Sequence, residues 1–419
     1  MKIVIANSIF HPHVIGGAER ATYLLARQLS TSGHQVHVLA TSGKRSSDGP
    51  APASGYTTRS LPDINGTIFE APSWGMYDLL VDPAQPQPGV LIRGMHHFLG
   101  IHASSWRRLA ARILDQLQPD VLHTHTIVGM TPAVWGAARA CRVPVVHTLH
   151  DYHLLCPRTT LLRSRGTVCE QPTLPCRVLA SRKLAATRRV AVVTAPSRFV
   201  LERHLAAGGF PDAKAVVVPN ACTELPESLP DRSNLAEVQG LFLGQIDTHK
   251  GIPALLAALA KLFESDSAPV PASFRFAFAG LGPLVPAVEA FCLRFPDRCR
   301  YHGMVRGAEK AALMAASSFL VLPSIWHDNF PMVILEAFSQ GMPVIGARRG
   351  GIPEIIENQV NGLVVEPEPV PLATALTRYA VDARERLRHG VAAFTTARSF
   401  SLERHVEQFL EIYREVSNG

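Results

Sequence analysis

Short apolar runs that read as strands alternate along this chain with longer runs of helical period, and the alternation occurs twice. Lys2–Ala6 is the first strand, and a loop ending in Gly16-Gly17 leads from it into an apolar-periodic helix that runs to Leu29. His34–Thr41, Asp120–His125, Val143–Leu149, Val190–Thr194 and Ala215–Val218 continue the series, and Arg93–Leu117 reads as one helix. Leu241–Gly244 starts it again, followed by a helix from Pro253 to Phe263 and further strands at Phe274–Ala279, before Tyr301, at Phe319–Leu322 and at Pro343–Gly346. Strands alternating with helices predict parallel sheets covered on both faces. Between the two series, Thr223–Gln239 is rich in Glu, Pro, Ser and Asp, the composition of a linker. The expectation is two α/β domains, 1–222 and 223–399, with the ligand in a cleft between them.

Composition narrows the class of ligand. The chain has 419 residues, 47% hydrophobic and 18% charged, as expected of a globular protein with full cores. Its net charge of +7 suits a polyanionic small molecule or a membrane surface. No basic helix interleaved with stacking aromatics supports a nucleic-acid partner. The amino terminus enters a strand directly and no long apolar segment follows, so a cytoplasmic protein is expected, with at most a peripheral membrane contact. For Arg93, Arg107, Arg108 and Arg112 a solvated basic face is the plain reading and a lipid phosphate the sharper one. Seven cysteines argue against a disulfide framework. Cys156, Cys169 and Cys176 cluster near His150 and His153 without C-x-x-C spacing, so unrelated thiols are expected and a metal is not assigned.

The least ordinary stretch is Asp328–Gln340. Glu336 is the only charge between Asp328 and Arg348, in an apolar run that starts at Pro331, a residue suited to a helix's first turn. A carboxylate on such a helix needs a hydrogen-bonding partner. Another side chain would serve, and so would a pair of ligand hydroxyls. Asp328 lies eight residues upstream, roughly 12 Å away at the helical rise. That is too far for one metal or one glycosidic bond and suits a ligand held at both ends, with helix-start amides between. Lys250 lies in a strand-to-helix loop, where its ammonium can meet a phosphate. Gly16-Gly17 lets backbone approach a ligand and offers free amides. His125, His150 and Asp151 follow strands, at the end of a parallel sheet where ligands bind.

An acid, seven residues and Glu, with Asn-Phe-Pro after the first acid and Ala after the second, resembles the donor signature of glycosyltransferase family 4, retaining enzymes of the GT-B fold. The resemblance spans the chain and implies two Rossmann-like domains facing across a cleft, with a C-terminal helix, 400–419, crossing back to the first domain. It implies that Glu336 binds the ribose of a nucleotide-diphosphate sugar, and that Asp328 and the segment Asn329, Phe330, Pro331, Met332 and Val333 meet the donor sugar and phosphate. The glycine loop at Gly16 and Gly17 would face the catalytic cleft. Gly244, Gln245 and Lys250 fall where the family holds the diphosphate, although the family has Arg where this chain has Gln245 and Glu where it has Asp328. Arg348 or Arg349 could replace the missing cation. His125 would lie against the donor sugar, and His150 and Asp151 would line the acceptor cleft. The implied catalytic set is His125, Asp328 and Lys250. No cofactor is implied, the nucleotide sugar being a co-substrate and the acceptor a glycan, lipid-linked or small molecule.

No Asp-x-Asp occurs, which speaks against a metal-carboxylate site, so phosphate charge would fall to Lys and backbone dipoles. A sugar-nucleotide epimerase of the same fold and a catalytically weak partner subunit are the alternatives. Specificity is expected in the least patterned loops, Ser42–Gly66 and Leu154–Cys176.

Overall fold

The computed structural model of the protein describes residues 1–13, 16–42, 54–75, 77, 89–101, 103–163, 166–232, 237–264 and 270–418. The chain divides into two compact units, one comprising Met1–Leu161, Cys169–Asn220 and Leu402–Gly419, the other Leu162–Val168 and Ala221–Ser401.

In the first unit, β1 (Lys2–Ala6), β2 (Gln35–Thr41), β3 (Thr57–Leu61), β4 (Ile64–Ala71), β5 (Val121–Thr124), β6 (Val145–Thr148), β7 (Val192–Ala195) and β8 (Lys214–Val217) form one sheet. Among the described residues its order is β3-β4-β2-β1-β5-β6-β7-β8, parallel throughout except where β3 meets β4. The helices are α1 (Gly17–Thr31), α2 (Val90–Gly100), α3 (Ser104–Leu117), α4 (Ala133–Ala140), α5 (Leu174–Ala186) and α6 (Arg198–Ala206). β1 is apolar from its second residue onward because both faces are covered: Ile3, Val4, Ile5 and Ala6 are all buried. α1 turns Ala21, Leu24, Leu25 and Leu29 inward at helical spacing. Ser197 caps α6, its hydroxyl accepting from the Val200 amide at 3.4 Å.

The second unit holds a wholly parallel sheet of β9 (Gln239–Leu243), β10 (Arg275–Ala279), β11 (Cys299–Tyr301), β12 (Phe319–Leu322), β13 (Val344–Ala347) and β14 (Gly362–Val365). Its order is β11-β10-β9-β12-β13-β14. The helices are α7 (Ile252–Phe263), α8 (Val285–Arg294), α9 (Gly307–Ala316), α10 (Met332–Ser339), α11 (Ile352–Ile355), α12 (Pro369–Val381) and α13 (Ala383–Arg398). Strand residues alternate between two cores, as the pleat requires. Leu241, Ala277, Leu320 and Leu322 join Ile334, Leu335, Ala337 and Phe338 of α10 on one face. Phe242, Phe276, Phe278 and Phe319 join Leu255 and Leu259 of α7 and Tyr379 of α12 on the other. The last helix, α14 (Leu402–Asn418), belongs to the first unit and packs on α1 and β5 through its buried Val406, Phe409 and Tyr413 face.

Both sheets reverse direction of growth once. In the first, the chain moves outward from β1 to β2 and then returns to set β5 on β1's other side. In the second, β9 is followed outward by β10 and β11, and β12 returns to β9's other edge. The loops leaving β1 and β5, and those leaving β9 and β12, therefore flank the two crevices where doubly wound sheets bind ligands.

Several sequence expectations are corrected. The turn-rich stretch Ser42–Gly66 contains β3 and the start of β4, a hairpin whose alternation is masked by polar residues on an edge strand that is mostly outside the core. Residues 43–53 of that stretch, like the Pro-containing residues 81–88, Ile15 of the glycine loop and 164–165 of the second loop, lie outside the described residues. The helix read as Arg93–Leu117 is two helices, α2 ending at Gly100 and α3 starting at Ser104. The stretch read as a linker is anchored: Arg232 donates to the carbonyls of Met314, Ser317 and Gln340, where α9 and α10 end, a cation on carbonyls that have no intrahelical donor.

Candidate functional site

In the second unit the crevice between β9 and β12 is built from Gly244–Lys250 on one side and Pro323–Pro331 on the other. Lys250 Nζ donates to both oxygens of Asp328, each at 2.8 Å, and the Ser324 hydroxyl donates to Asp328 Oδ2 at 2.6 Å. Asp328 is buried, and Lys250 is mostly so. An ammonium carries three protons. Two are spent on Asp328, which leaves one for a ligand. The Lys250 ammonium also lies 5.0 Å from the Trp326 ring centroid, whose edge meets His249 at 5.5 Å. The Trp326 indole N–H is buried and unpartnered among the described residues.

The backbone here is drawn close. Gly280 has φ of 136°, and a Cβ on it would sit 1.8 Å from the Gly244 carbonyl oxygen, so only glycine lets the β10 loop run against the β9 loop. At Gly350, with φ of 57°, a Cβ would sit 2.2 Å from the Asp328 carbonyl oxygen, which accepts from the Gly351 amide at 2.7 Å. Gln245 is exposed. Arg348 and Arg349 both pair with Glu366, at 3.4 and 2.6 Å. Neither is held in reserve for the position of Gln245.

Asp328 is not on the helix. α10 begins at Met332 after Pro331, and its first turn leaves the Met332 and Val333 amides without intrahelical acceptors. The side chains of Phe330 and Met332 are core, Phe330 edge-on to Phe400 at 5.6 Å, so this segment offers a ligand its backbone. α10 buries Ile334, Leu335, Ala337 and Phe338 and leaves Val333 and Glu336, with Gln340 just past its end, as its less buried stripe. Glu336 accepts from Lys310 Nζ of α9 at 2.6 Å. Of the two kinds of partner the sequence left open, the structure supplies a side chain: Lys310, twenty-six residues earlier, is brought to Glu336 only by helix packing.

In the first unit, His123 on β5 and His125 just past its end lie side by side, their rings 4.0 Å apart. His123 bonds Tyr413 of α14 at 2.6 Å and Thr148 at 2.7 Å. His125 Nδ1 bonds His150 Nε2 at 2.9 Å, and its own Nε2 is buried and unpartnered among the described residues. Burial, reinforced by the neighbouring His123 and His150, lowers the His125 pKa well below the usual value, so this imidazole is neutral. Asp151 turns instead to His153, accepting from its amide at 2.7 Å and its Nδ1 at 2.6 Å. Burial opposes ionisation of Asp151, but His153 outweighs it and holds the carboxyl below its ordinary range. Lys183, buried and lowered to about 8, donates to the His153 carbonyl at 2.6 Å. At the glycine loop, the Gly16 amide donates to Glu19 Oε2 at 2.7 Å. The expectation that this amide is free for phosphate is corrected, because the capping acid three residues on takes it. Among the described residues no group of three or more His, Cys, Asp or Glu side chains could hold a metal, and Cys156, Cys169 and Cys176 are free thiols.

Sequence reading therefore located Lys250, Asp328, His125 and His150 and missed Ser324, Trp326 and Lys310. The first two of these lie just upstream of the motif on the same β12 loop, and that position was the available signal.

The buried histidines predict acid sensitivity. Burial lowers His150, His204 and His405 to about 4, in each case against a partner that favours the charged form. Above the ordinary value of about 6.5 these groups are neutral in both states. Below it the unfolded chain takes up protons that the folded one refuses, so stability falls as pH drops from about 6.5 toward 4, by up to about 1.4 kcal/mol per pH unit per group. Calorimetric melting temperatures should fall across that window, and His405→Gln should flatten the fall. An unchanged slope would remove His405 from the set.

Residues 15–223 match the family described as Glycosyltransferase Family 4, and residues 237–382 match Glycosyl transferases group 1. The D-inositol 3-phosphate glycosyltransferase of Corynebacterium diphtheriae is 27% identical over 317 residues, 71% of each chain. Sucrose-phosphate synthase from Thermosynechococcus elongatus superposes with a TM-score of 0.71 at 18% identity, over 99% of this chain and 98% of that one. Anabaena HepE in complex with UDP superposes with a TM-score of 0.70 at 19% identity, over 99% of this chain and all of that one. With its two doubly wound units and a terminal helix belonging to the first, the chain belongs to the glycosyltransferases of family 4, which have the GT-B fold.

Proposed function

We propose that this glycosyltransferase moves a sugar from a nucleotide-diphosphate sugar to a glycan, lipid-linked or small-molecule acceptor, with retention at the anomeric carbon. The observation that carries the donor assignment is the Lys250–Asp328 pair at the β9/β12 crevice, beside the start of α10. Such a place favours a diphosphate: one Lys250 proton and the Met332 and Val333 amides are available as negative charge develops on the leaving group. Glu336 takes the ribose hydroxyls, and Asp328 and the Asn329–Val333 backbone meet the sugar. Gly244 and Gln245 border the diphosphate. No divalent ion is given a role, because a cation and backbone dipoles already face the phosphate. The neutral His125, with an unpartnered Nε2, contacts the donor sugar by hydrogen bonding and carries no net proton. HepE was solved with UDP and with UDP-glucose, and D-inositol 3-phosphate glycosyltransferases are among the relatives. The first supports a nucleotide-sugar donor, and the second supports sugar transfer. The acceptor is assigned to the first unit, at His150 and Asp151.

Thermal shift against a panel of nucleotide sugars should find a donor that raises the melting temperature, since a ligand of the native state alone stabilises it. With that donor and an acceptor, NMR of the product should show the donor's anomeric configuration, with or without chelator. An inverted product would sink the stereochemical assignment, and donor converted without any acceptor would sink transfer itself.

A further inference from the structure

On the first unit an apolar face adjoins a cavity walled by arginines, and none of the residues lining that cavity is assigned to the donor. α2 exposes Leu91 at 86%, Ile92 at 48%, Met95 at 60%, Phe98 at 43% and Leu99 at 56%. Leu91, Met95 and Phe98 recur at helical spacing, so they form a stripe that faces solvent instead of the core. α5 lies beside α2 and continues the apolar surface with Leu174 at 69% and Val178 at 48% exposed. Arg182, four residues beyond Val178, places its guanidinium 6.0 Å from the Phe98 ring centroid. Single exposed apolar residues are ordinary, whereas a contiguous set on two adjacent helices marks an interaction surface.

α2 runs out at Gly100, and the next residue, Ile101, lines a cavity of about 510 Å³ together with Ser104, Arg107, Pro132, Gly136, Arg139 and Arg189. Three guanidiniums converge there from α3, α4 and the turn after α5, and no acid is in the lining. Among the described residues the side chains of Arg107, Arg139 and Arg189 make no hydrogen bond or ion pair. α4 carries Gly136 where Arg107 crosses it, a Cβ there lying 3.7 Å from Arg107 Nε. Cations gathered without a counter-charge repel one another, and an anion that enters relieves this. Of the arginines the sequence offered for lipid phosphate, Arg107 lines the cavity, while Arg112 is committed to the Ser54 carbonyl at 3.0 Å and Arg93 lies on the separate helix α2.

We infer that this surface docks on a lipid bilayer with anionic headgroups, a headgroup phosphate in the arginine cavity and the α2 stripe in the acyl boundary. The charge of the cavity and its continuity with the apolar face decide between occupants. A free phosphate has no use for the exposed leucines, and an uncharged bilayer has none for the arginines.

The test is co-sedimentation of the full chain with phosphatidylcholine vesicles, with and without phosphatidylglycerol. Binding should require the anionic lipid and weaken with salt. The triple variant R107Q/R139Q/R189Q should lose about a hundredfold in apparent affinity, at the usual contribution of an arginine near such a surface. The variant L91S/M95S/L99S should lose tenfold or more even at low salt. Both variants replace exposed residues, and an unchanged melting temperature without vesicles establishes that they fold. Equal binding by either variant, or binding that ignores the anionic lipid, would overturn the inference. So would a wild-type chain that ignores vesicles and is stabilised by millimolar inorganic phosphate, which would make the cavity a site for soluble phosphate.

Discussion

Lys250→Ala is expected to weaken nucleoside-diphosphate binding by about tenfold to a hundredfold, the worth of a lost charge-assisted hydrogen bond. It should also destabilise the second unit by about 3 kcal/mol, because Asp328 is buried and, among the described residues, keeps only the Ser324 hydroxyl as a side-chain partner. The geometry makes a second, opposite forecast. Asp328 cancels most of the lysine's charge through two 2.8 Å bonds, so Asp328→Asn frees that charge toward the phosphate. Asp328→Asn should bind the nucleoside diphosphate more tightly while transferring sugar more slowly. Calorimetric titration of the two variants decides it. If both lose affinity alike, the pair is a structural clasp and the diphosphate lies elsewhere.

Glu336→Gln is expected to lower kcat/KM for the donor by about tenfold to a hundredfold, since a carboxylate accepting from ribose hydroxyls is worth more than a neutral amide there. The fold should survive. Glu336 sits on the less buried stripe of α10, and Lys310, 23% exposed, can turn its ammonium to water when the carboxylate goes. Lys310→Met is the control. If Glu336 serves the donor, Lys310→Met spares most of the activity and Glu336→Gln does not. Equal losses in the two variants would assign the carboxylate to its lysine and remove it from the ribose.

Elements were legible wherever one period dominated. Lys2–Ala6 and Phe319–Leu322 are strands with the boundaries read from their apolar runs, because sheet strands covered on both faces are continuously apolar. β3 and β4 were not legible, because β3 buries no residue, β4 buries only Ile64, Ile68, Phe69 and Ala71, and polar side chains interrupt the alternation. The break between α2 and α3 was equally hidden. Helical periodicity continues through it in sequence, while the first helix ends at Gly100 and the next starts at Ser104.

Asp328 and Glu336 could be singled out as unusual from the sequence alone, because charge in an apolar run violates the ordinary pattern of burial. Lys250 could be placed on a strand-to-helix loop for the same kind of local reason. What answers those charges could not be read. Lys250 meets Asp328 across seventy-eight residues, and Lys310 meets Glu336 across twenty-six, at distances set by the order of strands in the sheet. Pattern along a chain records which positions must leave water. Which polar group each then finds depends on Coulomb and hydrogen-bonding contacts that reach only a few ångströms, and only the folded sheet brings those partners within that range.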